Sequence, residues 1–468
     1  MSKNFRRIIA ASTAIVMTAS LCGCSDSGYI GTVNGVQIPT GMYLYEVAFN
    51  AYNQAAAKIK EDRGDDNSTA EVKVFTETIE GKPASAWLKD TAVEELKRYV
   101  AVESLFTEYG LSLSAEDTAS INDYIKALDD DLGYYAQYYG IEESSFGEHY
   151  ENMGISKSSL RSLTENSYKN KYVFLHNYDT DGLTPVPDDE ISDYAAENYA
   201  VVKYLKVDFT DYQGISLKEE ADIDAVRSLA QSWADRYNAG EEWTQIQYEY
   251  DLRKAWYDAW VEAEDKYAEE HASTAESLID GTSTAESPEP ASAPDAHATA
   301  EAESTAEAVP QTEEAGSDEA PAEDTAVTAP VKPVVNTDDA EYNEYCQKAI
   351  DEATAEKKES ADDCDKFISK ENSSLSEKLT EYVWNAAADS KATLFEDSEA
   401  NCVYVVVRDN ITTKTSWLET QHESILHSLR DDAYNEMLKG IYDNYTVELN
   451  DYLINTKYAP EKLKGIGE

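Results

Sequence analysis

Two short runs stand out in the pattern of apolar and polar positions. Tyr199–Phe209 is a series of β-branched and aromatic residues broken by Lys203 and Lys206, and its partial alternation predicts a strand. Asn401–Arg408 reads Asn-Cys-Val-Tyr-Val-Val-Val-Arg, a denser apolar run that predicts a buried strand. Helical spacing fills much of the remainder. Over Pro83–Tyr109, Leu88, Ala92, Leu96, Tyr99, Val102 and Phe106 recur at three- and four-residue intervals, and Gly110 can end the helix. Lys218–Asn238 repeats the pattern, and Trp243, Ile246 and Tyr250 carry it towards a charged helix over Asp251–His271. Shorter helices are predicted over Ser114–Leu128, where Ser114 and Asp117 form a capping pair, over Tyr134–Tyr139, Ser158–His176 and Leu375–Trp384, and within Thr337–Asp365. Ser416–Val447 predicts a long helix with Ile425, Leu426, Leu429, Met437, Leu438 and Ile441 on its apolar side. Near the start, Tyr29–Ile38 reads as two strands around Asn34-Gly35, the favoured type I′ hairpin pair, before a helix from Pro39-Thr40 to about Lys60. Residues 61–80 are polar and read as a loop.

Composition changes the picture in one place. From Ser273 to Val335 the chain is dominated by Ala, Glu, Ser, Thr, Pro and Asp, with no Lys or Arg between Lys266 and Lys332. Such a segment cannot bury a core, so residues 271–336 are expected to be a disordered acidic linker extended by self-repulsion. The whole chain of 468 residues carries a net charge of −53, which argues against nucleic acid as a partner. Tyrosine is abundant and phenylalanine scarce, 33 against 9, which suits either wet contact surfaces or a tyrosine-rich helical core.

The N-terminus reads as a processing signal. Lys3, Arg6 and Arg7 precede a short apolar stretch that ends in Leu21-Cys-Gly-Cys24. This resembles a bacterial lipobox, so residues 1–23 are expected to be a lipoprotein signal peptide and Cys24 the lipidated residue. That places the protein on the extracytoplasmic face of a bacterial cell membrane, held by the lipid. Cys346, Cys364 and Cys402 follow no metal-site spacing and are expected to be unused thiols.

Candidate chemistry is sparse. Asn177, Asp179, Asp181, Gly182 and Asp188 fall at calcium-loop positions, but Pro185 and Pro187 stiffen the second half and position 12 is not Glu. A solvated loop with Asp188 capping the next helix fits the same residues. No zincin, nucleophile-elbow or phosphate-loop motif occurs among the residues, and the acid runs Asp129–Asp131 and Asp362-Asp363 read as solvated faces. No cofactor and no metal is expected.

A strand, a helix running into Ala239-Gly-Glu-Glu-Trp243 and a late apolar strand resemble the two ends of a parvulin-type prolyl isomerase domain. The stretch from Glu381 to Asp409 resembles its last third, a helix followed by a hairpin into the closing strand. The Val33-Asn-Gly35 entry, the repeated rhythm of glycine, apolar residue and helix cap, and the long terminal helix resemble the PrsA/SurA group of extracytoplasmic foldases. The resemblance implies an α+β protein. A mostly helical, discontinuous chaperone domain of SurA N type would span 24–188 and be completed by 416–466 within the C-terminal helix segment 416–468. A parvulin-like α/β module in two parts, 189–270 and 337–415, would be inserted in it and interrupted by the linker. In the family two histidines face each other from the first and last strands, and here Tyr204 and Tyr404 stand at those positions. The family's glycine-rich middle segment is also missing. A foldase or chaperone for unfolded or nascent secreted polypeptides, with a degenerate module, is therefore the expectation, and a homodimer is implied by analogy. An active prolyl isomerase built on Tyr204 and Tyr404, or a non-catalytic ligand-binding surface lipoprotein, are the alternatives.

Overall fold

The computed structural model describes residues 28–64, 72–279, 330–355, 357–358 and 364–463. Cys24, the signal segment, residues 280–329 of the acidic stretch and Asp362-Asp363 lie outside the described residues. The chain begins with β1 (Tyr29–Val33), β2 (Val36–Pro39), α1 (Thr40–Tyr45), a π-helical turn (Glu46–Ala51), α2 (Tyr52–Arg63), β3 (Thr78–Ile79) and β4 (Lys82–Pro83). Helices α3 (Ala84–Glu108), α4 (Ala115–Ala127), α5 (Tyr135–Tyr138), α6 (Phe146–Asn152), α7 (Lys157–Tyr178) and α8 (Asp188–Asn198) follow. Next come β5 (Tyr199–Asp208), α9 (Glu220–Asn238), α10 (Trp243–Ile279), α11 (Ala340–Glu352), β6 (Lys366–Ser369), α12 (Glu377–Asn385), β7 (Ala392–Asp397) and β8 (Cys402–Asp409). The chain closes with α13 (Thr415–Tyr442) and β9 (Val447–Leu449). Helices with small antiparallel sheets make this an α+β protein. It divides into two compact units, one of Met1–Asp193 with Ser416–Glu468 and one of Tyr194–Thr415.

The first unit is built from both ends of the chain. Asn34 and Gly35 both take positive φ, 49° and 79°, as a two-residue primed turn requires, and they fold β2 back on β1. β9 pairs antiparallel with the other edge of β1, giving the order β2-β1-β9. The predicted terminal helix therefore stops at Tyr442. Thr446 and Val447, β-branched residues, are drawn into the sheet, where the Asn34 amide donates to the Thr446 carbonyl. Ile30, Val33, Ile38, Met42, Tyr43, Val47, Ala92 and Leu96 form the core between this sheet, α1 and α3. The residues expected to be a loop hold a small hairpin as well, because Glu80 and Gly81 supply the positive φ that turns β3 into β4. α13 packs on α7 through His427 stacked on Phe174 at 3.9 Å and the Tyr434 hydroxyl donating to Asn170 Oδ1 at 2.8 Å.

The second unit is a four-stranded antiparallel sheet in the order β6-β5-β8-β7. Strand alternation sorts its two faces. Leu205, Val207, Phe209, Val403, Val405 and Val407 pack against Val226, Ala230 and Trp233 of α9 and Trp243 and Ile246 of α10. Ala200, Val202, Cys402, Tyr404 and Val406 pack on the other side with Leu379 and Val383 of α12. The α9–α10 corner is fixed by Arg236, whose guanidinium pairs with both Glu241 and Glu249. Order also reaches into both ends of the expected linker. α10 is one continuous helix to Ile279, and Val335 is buried with Trp256, Ala263, Cys346 and Ile350 where α11 packs on α10. The apolar stripe of α11 supplies the partner that the linker composition alone does not reveal.

Candidate functional site

The face of the second unit beneath α12 carries both tyrosines singled out in the sequence. β5 and β8 are neighbours, with Lys206 opposite Tyr404 and Tyr204 opposite Val406. Tyr204 and Tyr404 are thus diagonal neighbours on one face, their ring centroids 6.1 Å apart and inclined at 62°. They belong to a longer row. Phe395 of β7 lies directly opposite Tyr404, with centroids 5.9 Å apart and near-parallel planes, and Tyr382 of α12 stacks on Phe395 at 4.6 Å. At the far end the Lys366 ammonium of β6 sits 4.1 Å from the centre of the Tyr204 ring, a cation–π contact. An aromatic row therefore crosses β5, β8 and β7, and Lys366 of β6 closes its end.

Burial decides what this row can do. Tyr404 is only 5 % exposed and packs with Leu379 and Val383. Burial, reinforced by the neighbouring Cys402 thiol, pushes its phenol up to about 12, so it stays protonated at neutral pH. It can donate or accept a hydrogen bond but cannot act as a base there. The Cys402 thiol is likewise pushed up by burial, which leaves it a poor nucleophile. Tyr204 is half-buried and keeps one side of its ring accessible to Lys366.

Arg408 locks α12 over this face. Its Nη1 donates to the carbonyl oxygens of Val383, Trp384 and Ala386 at 3.0, 3.1 and 2.9 Å. These carbonyls lie at and just past the last turn of α12, where acceptors outnumber amide donors, and the positive charge also complements the negative end of the helix dipole. The same guanidinium lies 5.3 Å from the Trp384 ring centre, and the Lys370 ammonium lies 5.6 Å from it. Tyr382 donates its hydroxyl to Thr393 Oγ1 at 2.8 Å, tying α12 to β7 as well.

The opposite face holds a buried ionic cluster near one end of β5 and β8. Lys203 Nζ lies 2.7 Å from both Asp365 Oδ1 and Asp409 Oδ2, and Lys414 lies 2.5 Å from Asp365 and 3.2 Å from Asp409. Burial pulls Lys203 down, but hydrogen bonds to the two carboxylates outweigh it and leave its pKa raised. Two cations against two anions balance, so the cluster joins β5, the approach to β6, the end of β8 and the loop that follows it without an open charge. The sheet edge at β7 is closed by Asn238, whose amide donates to the Ala392 carbonyl at 3.0 Å and accepts from the Ala392 amide at 2.9 Å.

The calcium-loop reading does not survive the geometry. The Asn177 side chain is buried and donates to the Val173 carbonyl, while Asp179 accepts from the Thr180 amide and pairs with His422 Nε2 at 2.8 Å. Among the described residues no three His, Cys, Asp or Glu side chains converge so as to hold a metal ion. Cys346, Cys364 and Cys402 form no disulfide among the described residues. Among the described residues no helix is long and apolar enough to cross a membrane. His422 pairs with Asp179 just past the end of α7, and His427 stacks on Phe174 within it. Sequence reasoning also missed Lys203 and Arg408 as organising residues. The available signal was a basic residue inside an otherwise apolar strand, which must find buried partners.

No protein-family model, no curated protein and no solved structure matches the chain.

Proposed function

We propose that the chain is a lipid-anchored extracytoplasmic foldase of the client-holding kind, related in plan to the PrsA/SurA group, with a parvulin-like module that has lost catalysis. The observation that carries the reading is the paired placement of Tyr204 and Tyr404. They sit on the neighbouring first and last long strands of an α+β unit that is itself inserted between the two parts of a helical unit. A hairpin, β7–β8, leads into the closing strand after α12, in keeping with the same resemblance. Loss of catalysis follows from the substitution of both histidines and from the burial of Tyr404. In this reading Cys24 is the lipidated residue, the membrane is the anchor, unfolded secreted polypeptides are the partners, and neither a cofactor nor a metal takes part.

The test is suppression of aggregation. A chemically denatured, neutral or basic secreted protein is diluted into buffer with and without the chain, and light scattering is followed. Suppression at near-stoichiometric ratio is the expected result. Unchanged scattering with several unrelated clients would overturn the reading. Metabolic labelling with a fatty acid, lost in Cys24→Ser, tests the anchor separately.

A further inference from the structure

The first unit carries a face of exposed phenols that its own core does not use. Between α4 and α6, Tyr134, Tyr135, Tyr138 and Tyr139 are 74, 56, 77 and 56 % exposed, and Tyr124 of α4 is 43 % exposed. The rings are grouped, with centroids 4.6 Å apart for Tyr134 and Tyr135, 5.2 Å for Tyr138 and Tyr139, and 5.5 Å for Tyr139 and Phe146. They sit on a braced frame. The Leu132 amide donates to the Ser144 carbonyl at 2.8 Å, and the Ile141 amide to the Ala136 carbonyl at 2.9 Å. Gly133 and Gly140, at φ 51° and 66°, make the turns on either side of α5. A grouped, braced set of large rings left in water marks an interaction surface, and tyrosine, with an apolar face and a polar tip, is enriched in such surfaces.

Charge selects the occupant. Residues 123–152 contain eight carboxylates and a single lysine, Lys126. Asp130, Asp131 and Glu142 border the rings in sequence and are exposed, while Asp129 is already paired with Lys157. A second copy of a chain at −53 is repelled from this face, as are anionic lipid headgroups and acidic peptides. A lysine or arginine side chain gains twice, over a tyrosine ring and beside a carboxylate. We infer that the Tyr134–Tyr139 face is a docking surface for extended polypeptide segments rich in lysine and arginine. The inference rests on the client-holding reading and names the class of client segment.

The experiment is fluorescence anisotropy with two labelled, unstructured peptides of equal length and aromatic content, one carrying lysine and arginine and the other glutamate at the same positions. The full chain is compared with Tyr134→Ser/Tyr135→Ser/Tyr138→Ser/Tyr139→Ser, with Asp130→Asn/Asp131→Asn, and with Tyr452→Ser, an exposed tyrosine elsewhere in the unit. The expected result is binding of the cationic peptide alone, weakened at least tenfold by the four-serine change. The asparagine variant should bind more weakly with a shallower salt dependence, and Tyr452→Ser should bind as the parent does. If the four-serine variant melts early, Tyr134→Ser/Tyr138→Ser, which alters only the two most exposed rings, is expected to weaken binding about threefold. Equal binding of both peptides, or unchanged binding by the serine variants, overturns the surface. So does a serine variant that instead loses self-association or binding to phosphatidylglycerol vesicles. A chain that suppresses aggregation regardless of these serines keeps the foldase reading and loses this surface. One that binds the cationic peptide through them but suppresses no aggregation does the reverse.

Discussion

Gly31 lies so close to Glu448 that a Cβ built on it would stand 2.2 Å from the Glu448 carbonyl oxygen. The residue sits at φ 151° in β1, where β9 crosses from the far end of the chain. The close approach lets the last strand complete a sheet begun at the first.

Gly31→Ala is therefore expected to destabilise the first unit by about 3 kcal/mol, through both backbone strain and displacement of β9. Gly35→Ala is the comparison. Gly35 has φ 79° but nothing within 4 Å of its would-be Cβ, so strain of about 1 kcal/mol alone is expected. Urea denaturation of the two variants, followed by circular dichroism, checks the difference. Equal midpoints would mean that β9 does not depend on this contact.

Arg408 supplies three hydrogen bonds to the end of α12, so Arg408→Met should free that helix from the sheet. A loss of about 2–3 kcal/mol is expected, the scale of hydrogen bonds from a charged donor. Hydrogen exchange should quicken over Glu377–Asn385 more than over α9. Arg408→Lys should recover less than half of the protection, since an ammonium lacks the planar fork that also stacks on Trp384. Uniform exchange changes across the unit would contradict the capping role.

Legibility in the sequence followed how local each interaction is. β5 and β8 were readable because β-branched residues are dense in both, and α3 and α9 because their apolar residues keep helical spacing over many turns. β6, only Lys-Phe-Ile-Ser, is a polar edge strand with no alternation long enough to register. β9 was absorbed into the helix before it, because its strand character comes from pairing with β1 at the other end of the chain. The site divides in the same way. Tyr204 and Tyr404 were found through a resemblance to a family, and their contact depends on a register that spacing does not encode. Lys203 and Asp409, 206 residues apart, gave only the hint of a lysine in an apolar strand.

Glu46, in the π-helical turn, is 4 % exposed, and burial pushes its carboxyl up to about 8 from an ordinary value of 4.5. The Asn50 amide, donating at 2.6 Å, opposes this in part, and Glu95 adds to it. Between pH 4.5 and 8 the folded chain holds this proton more tightly than the unfolded chain does. Stability must then fall as pH rises through that window and level off above it. Glu46→Gln removes the effect. It should match the parent below pH 4.5 and exceed it by a few kcal/mol above pH 8. Denaturation midpoints measured from pH 4 to 9 give the comparison, and parallel curves for the two proteins would refute the buried-acid account.

The phenol pair sets the last expectation. Rotation about a prolyl bond is slow because amide resonance must be lost, a barrier of about 20 kcal/mol. A catalyst must hold the proline in an apolar pocket with polar groups aimed at the twisting amide. Here Tyr404 is packed with Leu379 and Val383, and its hydroxyl is held protonated far above neutral pH. The Tyr204 ring is engaged by Lys366. The chain should accordingly leave a proline-containing tetrapeptide isomerising at its uncatalysed rate from pH 6 to 9. Tyr204→Phe/Tyr404→Phe should change nothing in that assay and leave peptide binding at Tyr134–Tyr139 intact. Acceleration by the parent that disappears in the double variant would make the phenols catalytic. It would also require α12 to move off the face, a displacement that Arg408→Met should then promote by raising the rate.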